Sequence, residues 1–144
     1  MIDLTQLTIK KALDSMNSRE YTSVDLVTAY LEQIKKVNTD VNAYLEVFED
    51  ALKQAELADS KRKNGGTGEL LGIPFAIKDN IVISGRKTGA ASKILENYVS
   101  PYDATAIKKL KEAGVVFLGR VNMDEFAMGG STENSAYGVT KNPI

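Results

Sequence analysis

Leu71-Gly72-Ile73-Pro74-Phe75-Ala76-Ile77-Lys78-Asp79-Asn80 is an apolar run, interrupted at Pro74, that stops abruptly at a lysine. It is short enough for a buried strand and too short for a typical helix. Proline offers no N–H to a ladder, so Pro74 belongs at the strand start or at an irregularity in it. Beyond Asn80 the apolar character resumes with Ile81-Val82-Ile83. A lysine leaving an apolar strand has two fates. It reaches water along its flexible stem, or it stays desolvated with its pKa drawn down toward values useful for proton transfer. The residues by themselves favour an ordinary surface or salt-bridged lysine, because perturbed lysines are the exception.

The flanking sequence supplies helices. Residues 5–16 predict a short helix capped by Thr5 or Thr8, with Leu4, Leu7, Ala12, Leu13 and Met16 as its apolar stripe. Thr22 or Ser23 caps a second, with Asp25 in its first turn and Val24, Val27, Leu31 and Ile34 at helical spacing. Lys35 and Lys36 suit its negative end, and Asn38-Thr39-Asp40 reads as the turn that follows. Ala43–Val47 is a short strand or an extended link. A third helix runs from about Glu49 to Lys63, with Ala51, Leu52, Ala55 and Ala58 inward, and ends in the loop from Asn64 to Gly68.

C-terminal to the central run, Ser84–Ser92 is rich in small residues and hydroxyls; it either lines a site or crosses the surface. Asp103 is the expected cap of a helix with Ala106, Ile107, Leu110 and Ala113 inward and Gly114 at its end. Val115–Gly119 is a second buried strand, and helix, glycine and strand together form half of an α/β crossover. Asn122–Met128 reads as a short helical turn capped by Asn122. The loop from Gly129 to Gly138 then places glycines and hydroxyls just past a strand, where α/β proteins hold ligands. A surface loop with local side-chain turns fits those residues equally well.

Composition prunes the chemistry. The 144 residues suffice for one domain, and 43% apolar with 26% charged residues is the balance of a soluble globular chain. A net charge of −1 gives no reason to expect direct binding of nucleic acid or membrane. Met1-Ile2-Asp3-Leu4 carries no leader pattern and no long apolar run follows, so a cytoplasmic home is expected. The sequence has no Cys and no His. A thiol nucleophile, a disulfide and a Ser-His-Asp triad are therefore excluded from this chain, and no metal site is expected. Acid–base catalysis here falls to Lys, Asp, Glu or Tyr.

Three stretches together resemble the amidase signature enzymes. Leu71–Asn80 looks like their lysine block, and Tyr102-Asp103-Ala104-Thr105-Ala106 through Ala113-Gly114 looks like the helix that follows it. Asn122-Met123-Asp124-Glu125-Phe126-Ala127-Met128-Gly129-Gly130-Ser131-Thr132-Glu133-Asn134-Ser135 is similar to one branch, the glutamine-hydrolysing A subunits of tRNA-dependent amidotransferases. The resemblance covers essentially the whole chain, since the helices before residue 63 fit as well. It implies an α/β/α layered fold, a mixed sheet between helices, that is incomplete at residue 144. Residues 1–63 would be its N-terminal helical segment and 64–144 the first part of its core, within one incomplete domain. It implies a Ser-Ser-Lys triad in which Lys78 is the general base, acting through a serine that relays the proton of the nucleophilic serine.

By the family's pattern both serines and the oxyanion-hole amides lie beyond Ile144, and Ser131 and Ser135 match neither. The backbone of Met128, Gly129 and Gly130 would border the substrate. The implied subunit hydrolyses glutamine and passes ammonia to a B subunit. That partner uses ATP and Mg²⁺ to amidate misacylated Glu-tRNA(Gln) or Asp-tRNA(Asn) and carries most of the tRNA contact, while a C subunit clamps the heterotrimer. This chain itself would hold no cofactor. A small-molecule amidase of the same family and a non-catalytic interaction module are the alternatives.

Two apolar strands with four or five helices leave sheet edges and a helix face uncovered, and Lys78 open to water. The 144-residue chain alone is therefore expected to melt broadly or aggregate and to show no amidase activity. Circular dichroism melting with size exclusion checks this; a cooperative melt of a clean monomer would favour the interaction module.

Overall fold

The computed structural model describes residues 2–143; Met1 and Ile144, at the outer ends of the two predicted segments, lie outside that range. The elements are α1 (Ile9–Asn17), α2 (Ser23–Val41), β1 (Tyr44–Val47), α3 (Ala51–Lys63), β2 (Pro74–Lys78), α4 (Thr105–Ala113) and β3 (Val116–Val121). Short 3₁₀ turns lie at Lys93–Leu95 and Glu125–Ala127. The fold class is α/β, as the sequence predicts, and the sheet is mixed. β3 is central, antiparallel to β1 and parallel to β2. Pro74 stands at the start of β2, as its missing N–H requires.

β3 is buried on both faces, so it reads as a nearly continuous apolar run. Val116 and Leu118 face Val27 and Ile34 of α2 and Ala51 and Ala55 of α3. Val115, just before the strand, and Phe117 face the other way, toward Ile77, Ile83 and Ile107 of α4. The result is helix, sheet, helix. Each such side chain removed from water contributes about 1.5–3 kcal/mol. The α1 stripe closes a third cluster, in which Ala12 and Met16 pack with Leu26 and Ile73 and are flanked by Leu4, Leu7 and Leu13.

Local signals explain the helix ends. Thr8 and Thr22 are the caps of α1 and α2, and Thr22 forms a reciprocal capping box with Asp25. α2 does not end at Asn38-Thr39-Asp40, which is helical; it stops at Asn42, in the left-handed region at φ 55°. Lys35 and Lys36 accordingly lie away from its last turn. The Asn38 amide is used elsewhere, since it accepts from Tyr44 N at 2.8 Å and donates to Tyr44 O at 2.9 Å. That pair of bonds occupies Tyr44 on the edge of β1.

α3 starts at Ala51. Ala51, Ala55 and Ala58 are buried, but Leu52, expected inward, is 40% exposed. Ala106 of α4 is likewise exposed, because Ile107 is the residue fully inserted into the core. Asp103 does not cap α4. Its carboxylate accepts from Ser84 N and pairs with Lys111, and Ala104 takes the cap position. Gly114 ends the helix at φ 88°, as expected.

β1 and β2 are the sheet edges, and Ala76 of β2 is exposed. Ile94, Met128, Leu57 and Tyr102 are large apolar residues exposed to solvent. No helix among the described residues is long and apolar enough to cross a membrane.

Gly119 sits where β1 presses closest, beside an irregularity in both ladders. A Cβ there would lie 2.1 Å from Glu46 O. Gly119→Ala is therefore expected to destabilise the chain by about 1–3 kcal/mol, the usual cost of overpacking. Urea or thermal unfolding of the variant checks this.

Candidate active site

The last residues of the central stretch part company at the end of β2. Lys78 is exposed, whereas Asp79 is 1% exposed. Among the described residues no carboxylate pairs with the Lys78 ammonium, so its Nζ is uncommitted. Asp79 is committed on every side. Its N–H donates to Val121 O at 3.1 Å, and its carbonyl accepts from Ala90 N at 3.0 Å. Its Oδ1 accepts from Gly89 N at 3.1 Å and from Arg120 Nη1 at 2.8 Å; its Oδ2 accepts from Ala91 N at 2.8 Å. Arg120 Nε donates in turn to Glu46 Oε2 on β1, at 2.7 Å. A buried carboxylate persists only when it is paired and hydrogen-bonded in this way.

The loop that meets Asp79 is not a surface crossing. Thr88–Ser92 is buried, and Ala90 and Ala91 both adopt left-handed backbone, at φ 47° and 50°. Each such residue costs roughly 1–2 kcal/mol. The Asp79 carboxylate bridges the amides of Gly89 and Ala91 across that turn. The turn then passes the connection on: Ala90 O accepts from Phe126 N at 2.9 Å, and Ala91 O from Ala136 N at 3.0 Å. Ser92 Oγ donates to Glu125 Oε1.

Residues 122–136 form the second wall. Only Glu125–Ala127 is a 3₁₀ turn, and Phe126 within it has φ 52°, so the expected helical turn is not regular. Asn122 does not cap it. Its Oδ1 accepts from Met123 N and Ser135 Oγ, and its Nδ2 donates to Gly138 O. Asp124 organises the loop instead. Its Oδ2 accepts from Ser131 N and Thr132 N and its Oδ1 from Asn134 N, all at 2.9 Å. The backbone amides of Asn134 and Thr132 hold its carboxyl below the ordinary value.

Met128 is 79% exposed. Gly129 has a structural reason to be glycine, since a Cβ would sit 2.5 Å from Asp124 Cγ, whereas Gly130 faces open space. No hydrogen bond joins Lys78 directly to Met128, Gly129 or Gly130 among the described residues; the two regions are connected through residues 89–91. Ser131 Oγ donates to Glu133 and Ser135 Oγ to Asn122, so neither hydroxyl bonds to the lysine. The described residues hold no cluster of three or more metal-ligating side chains.

An exposed lysine at the end of an edge strand parallel to β3, beside two carboxylate-held loops, defines this chain as a lysine-bearing segment of an α/β layered fold. The chain belongs to the amidase family: the model described as Amidase matches residues 25–144. It is 52% identical over 144 residues to the A subunit of the glutamyl-tRNA(Gln) amidotransferase of Ruminiclostridium cellulolyticum, covering 99% of this chain and 30% of that protein. The corresponding subunit of Desulfatibacillum aliphaticivorans is 53% identical over 141 residues, covering 97% of this chain and 29% of that protein.

Among solved structures, the A subunit of the Thermotoga maritima glutamyl-tRNA(Gln) amidotransferase matches with a TM-score of 0.77 and 43% identity, over 99% of this chain and 29% of that one. The native peptide amidase of Stenotrophomonas maltophilia matches with a TM-score of 0.85 and 32% identity, over 94% of this chain and 29% of that one. The chain thus spans about 30% of the length of the curated relatives it matches.

Asp79, Arg120 and Asp124 escape a reading by periodicity, because each is a charge set at the edge of, or inside, an apolar stretch. That placement was itself the available signal, since such a charge survives only with partners. Asp124 also sets a pH dependence. Its depressed value means that the stability it lends the loop is fully present above the ordinary aspartate value of 3.8 and is lost as pH falls through the folded value. Hydrogen exchange at Ser131, Thr132 and Asn134 is expected to lose protection on acidification beyond the intrinsic pH effect. Asp124→Asn should show weak protection throughout with no such step.

Proposed function

We propose that this chain is the N-terminal part of the glutamine-hydrolysing A subunit of a tRNA-dependent amidotransferase, within one incomplete domain of segments 1–63 and 64–144. Identity of 52% over 99% of the chain to an A subunit of such an enzyme, with Lys78 uncommitted at the end of β2, carries the reading. Lys78 is the general base. Its amine takes the proton of a relaying serine as the nucleophilic serine attacks the glutamine side-chain amide, and returns a proton to the departing ammonia. Both serines are supplied outside this chain, so the 144 residues alone are inactive. The backbone of Met128, Gly129 and Gly130 borders the amide, with Gly130 as the open position.

Ammonia passes to the B subunit, which uses ATP and Mg²⁺ to convert misacylated Glu-tRNA(Gln) or Asp-tRNA(Asn), and a C subunit completes the cytoplasmic heterotrimer. The complex is a carbon–nitrogen ligase of protein biosynthesis.

The test is ammonia release from glutamine by the full-length subunit in its complex. The wild type should turn over glutamine, and Lys78→Ala should lower kcat by about 100-fold or more, the scale of general-base loss. A wild-type complex that releases no ammonia, or a Lys78→Ala variant with unchanged kcat, would overturn the reading.

A further inference from the structure

Asp79 lies next to the proposed base and yet takes no part in the triad. Its carboxylate is buried, and three of its bonds reach Gly89, Ala91 and Arg120. The two backbone amides belong to a turn whose middle residues have a conformation alanine rarely adopts. Without the bridging carboxylate, that turn loses two bonds from a buried stretch and has an extended alternative available. The carbonyls of the same turn hold Phe126 and Ala136, at the two ends of the Met128–Ser135 loop. Through its own N–H, Asp79 also pins the end of β2 to Val121 of β3. One residue therefore connects the end of the Lys78 strand, the 89–91 turn and, through the turn, the loop bordering the substrate.

The geometry points to Asp79 as the positioning residue of this site, with Arg120 holding its carboxylate in place. It acts through the 89–91 turn to fix the 126–136 loop relative to Lys78. This rests on the function proposed above, in which Lys78 and that loop face the same amide. Arg120 is forked between Asp79 and Glu46, so it ties the arrangement to both neighbours of β3. Lysine there would supply one charge without the fork.

The experiment compares wild type, Asp79→Asn, Asp79→Glu and Arg120→Lys. Hydrogen exchange and glutamine hydrolysis are both read on the full-length subunit in its complex. Asp79→Asn is expected to raise exchange at Gly89, Ala91, Phe126 and Ala136 while the β3 amides of Val116 and Leu118 keep their protection. It should lower kcat by about 100-fold, the scale of a misplacement near 1 Å, with KM changed less than about twofold. Asp79→Glu should restore part of the kcat. If Asp79→Asn fails to fold, Arg120→Lys carries the test, with the same four amides exposed and a smaller fall in kcat.

A rise in exchange spread evenly over β3 and the loops would mean a general stabilising role and would overturn the proposal. So would a local rise with kcat unchanged. A wild-type complex without glutaminase activity would sink the function reading instead, and the local pattern of exchange would then decide the Asp79 linkage by itself.

Discussion

Burial of β3 on both faces is the constraint under which the other elements take their places. A strand covered on one side by α2 and α3 and on the other by α4 has no solvent face left for polar side chains. The chain therefore runs apolar from Val115 to Leu118 and uses glycine at 119, where β1 presses in. Its first charge, Arg120, appears only where the strand leaves the sandwich. That charge is still largely enclosed, and it is satisfied by a carboxylate from each neighbouring strand region, Glu46 and Asp79. The ion pairs mark the boundary between the core and the site.

Past that boundary the packing changes character. Inside, helices meet the sheet through Val, Leu, Ile and Phe. Outside, two loops are held by carboxylates that accept backbone N–H groups, Asp79 for residues 89–91 and Asp124 for residues 131–134. Such a bond set fixes backbone direction more tightly than apolar contact does, because charge-assisted bonds are short and directional. It also frees the loops from needing large side chains. Gly89, Ala90, Ala91, Gly129 and Gly130 can stay small.

The elements that could be read from residues alone were those with periodicity or a punctuating residue. Pro74 marked the start of β2 or an irregularity in it, and it is the start; Gly114 marked the end of α4, and the spacing of Val27 and Ile34 the buried face of α2. The failures share a cause. Asn38, Asp103 and Asn122 are residues whose short polar side chains suit caps and turns, and each bonds outside its own turn as well or instead: to the edge of β1, to the Ser84 amide and Lys111, and to the 135–140 segment. A polar side chain used outside its own turn leaves no trace in local spacing. The burial of Thr88–Ser92 was hidden for a related reason, since small residues look alike in a core and in a surface loop. Lys78 stood out because it breaks an apolar run, and Gly129 stood out without disclosing that its smallness serves Asp124.

The side-chain amide of Asn38 makes the two edges of the sheet unequal. By taking both backbone groups of Tyr44 it stands in for a neighbouring strand across one residue of the short β1, and no further strand can lie flush there without evicting it. Along the other edge, β2, no side chain among the described residues takes up the backbone groups of a strand residue in this way. The two flanks are therefore unequal: the one that ends in Lys78 is the less obstructed, and a strand laid beside it would become part of the lysine's surroundings.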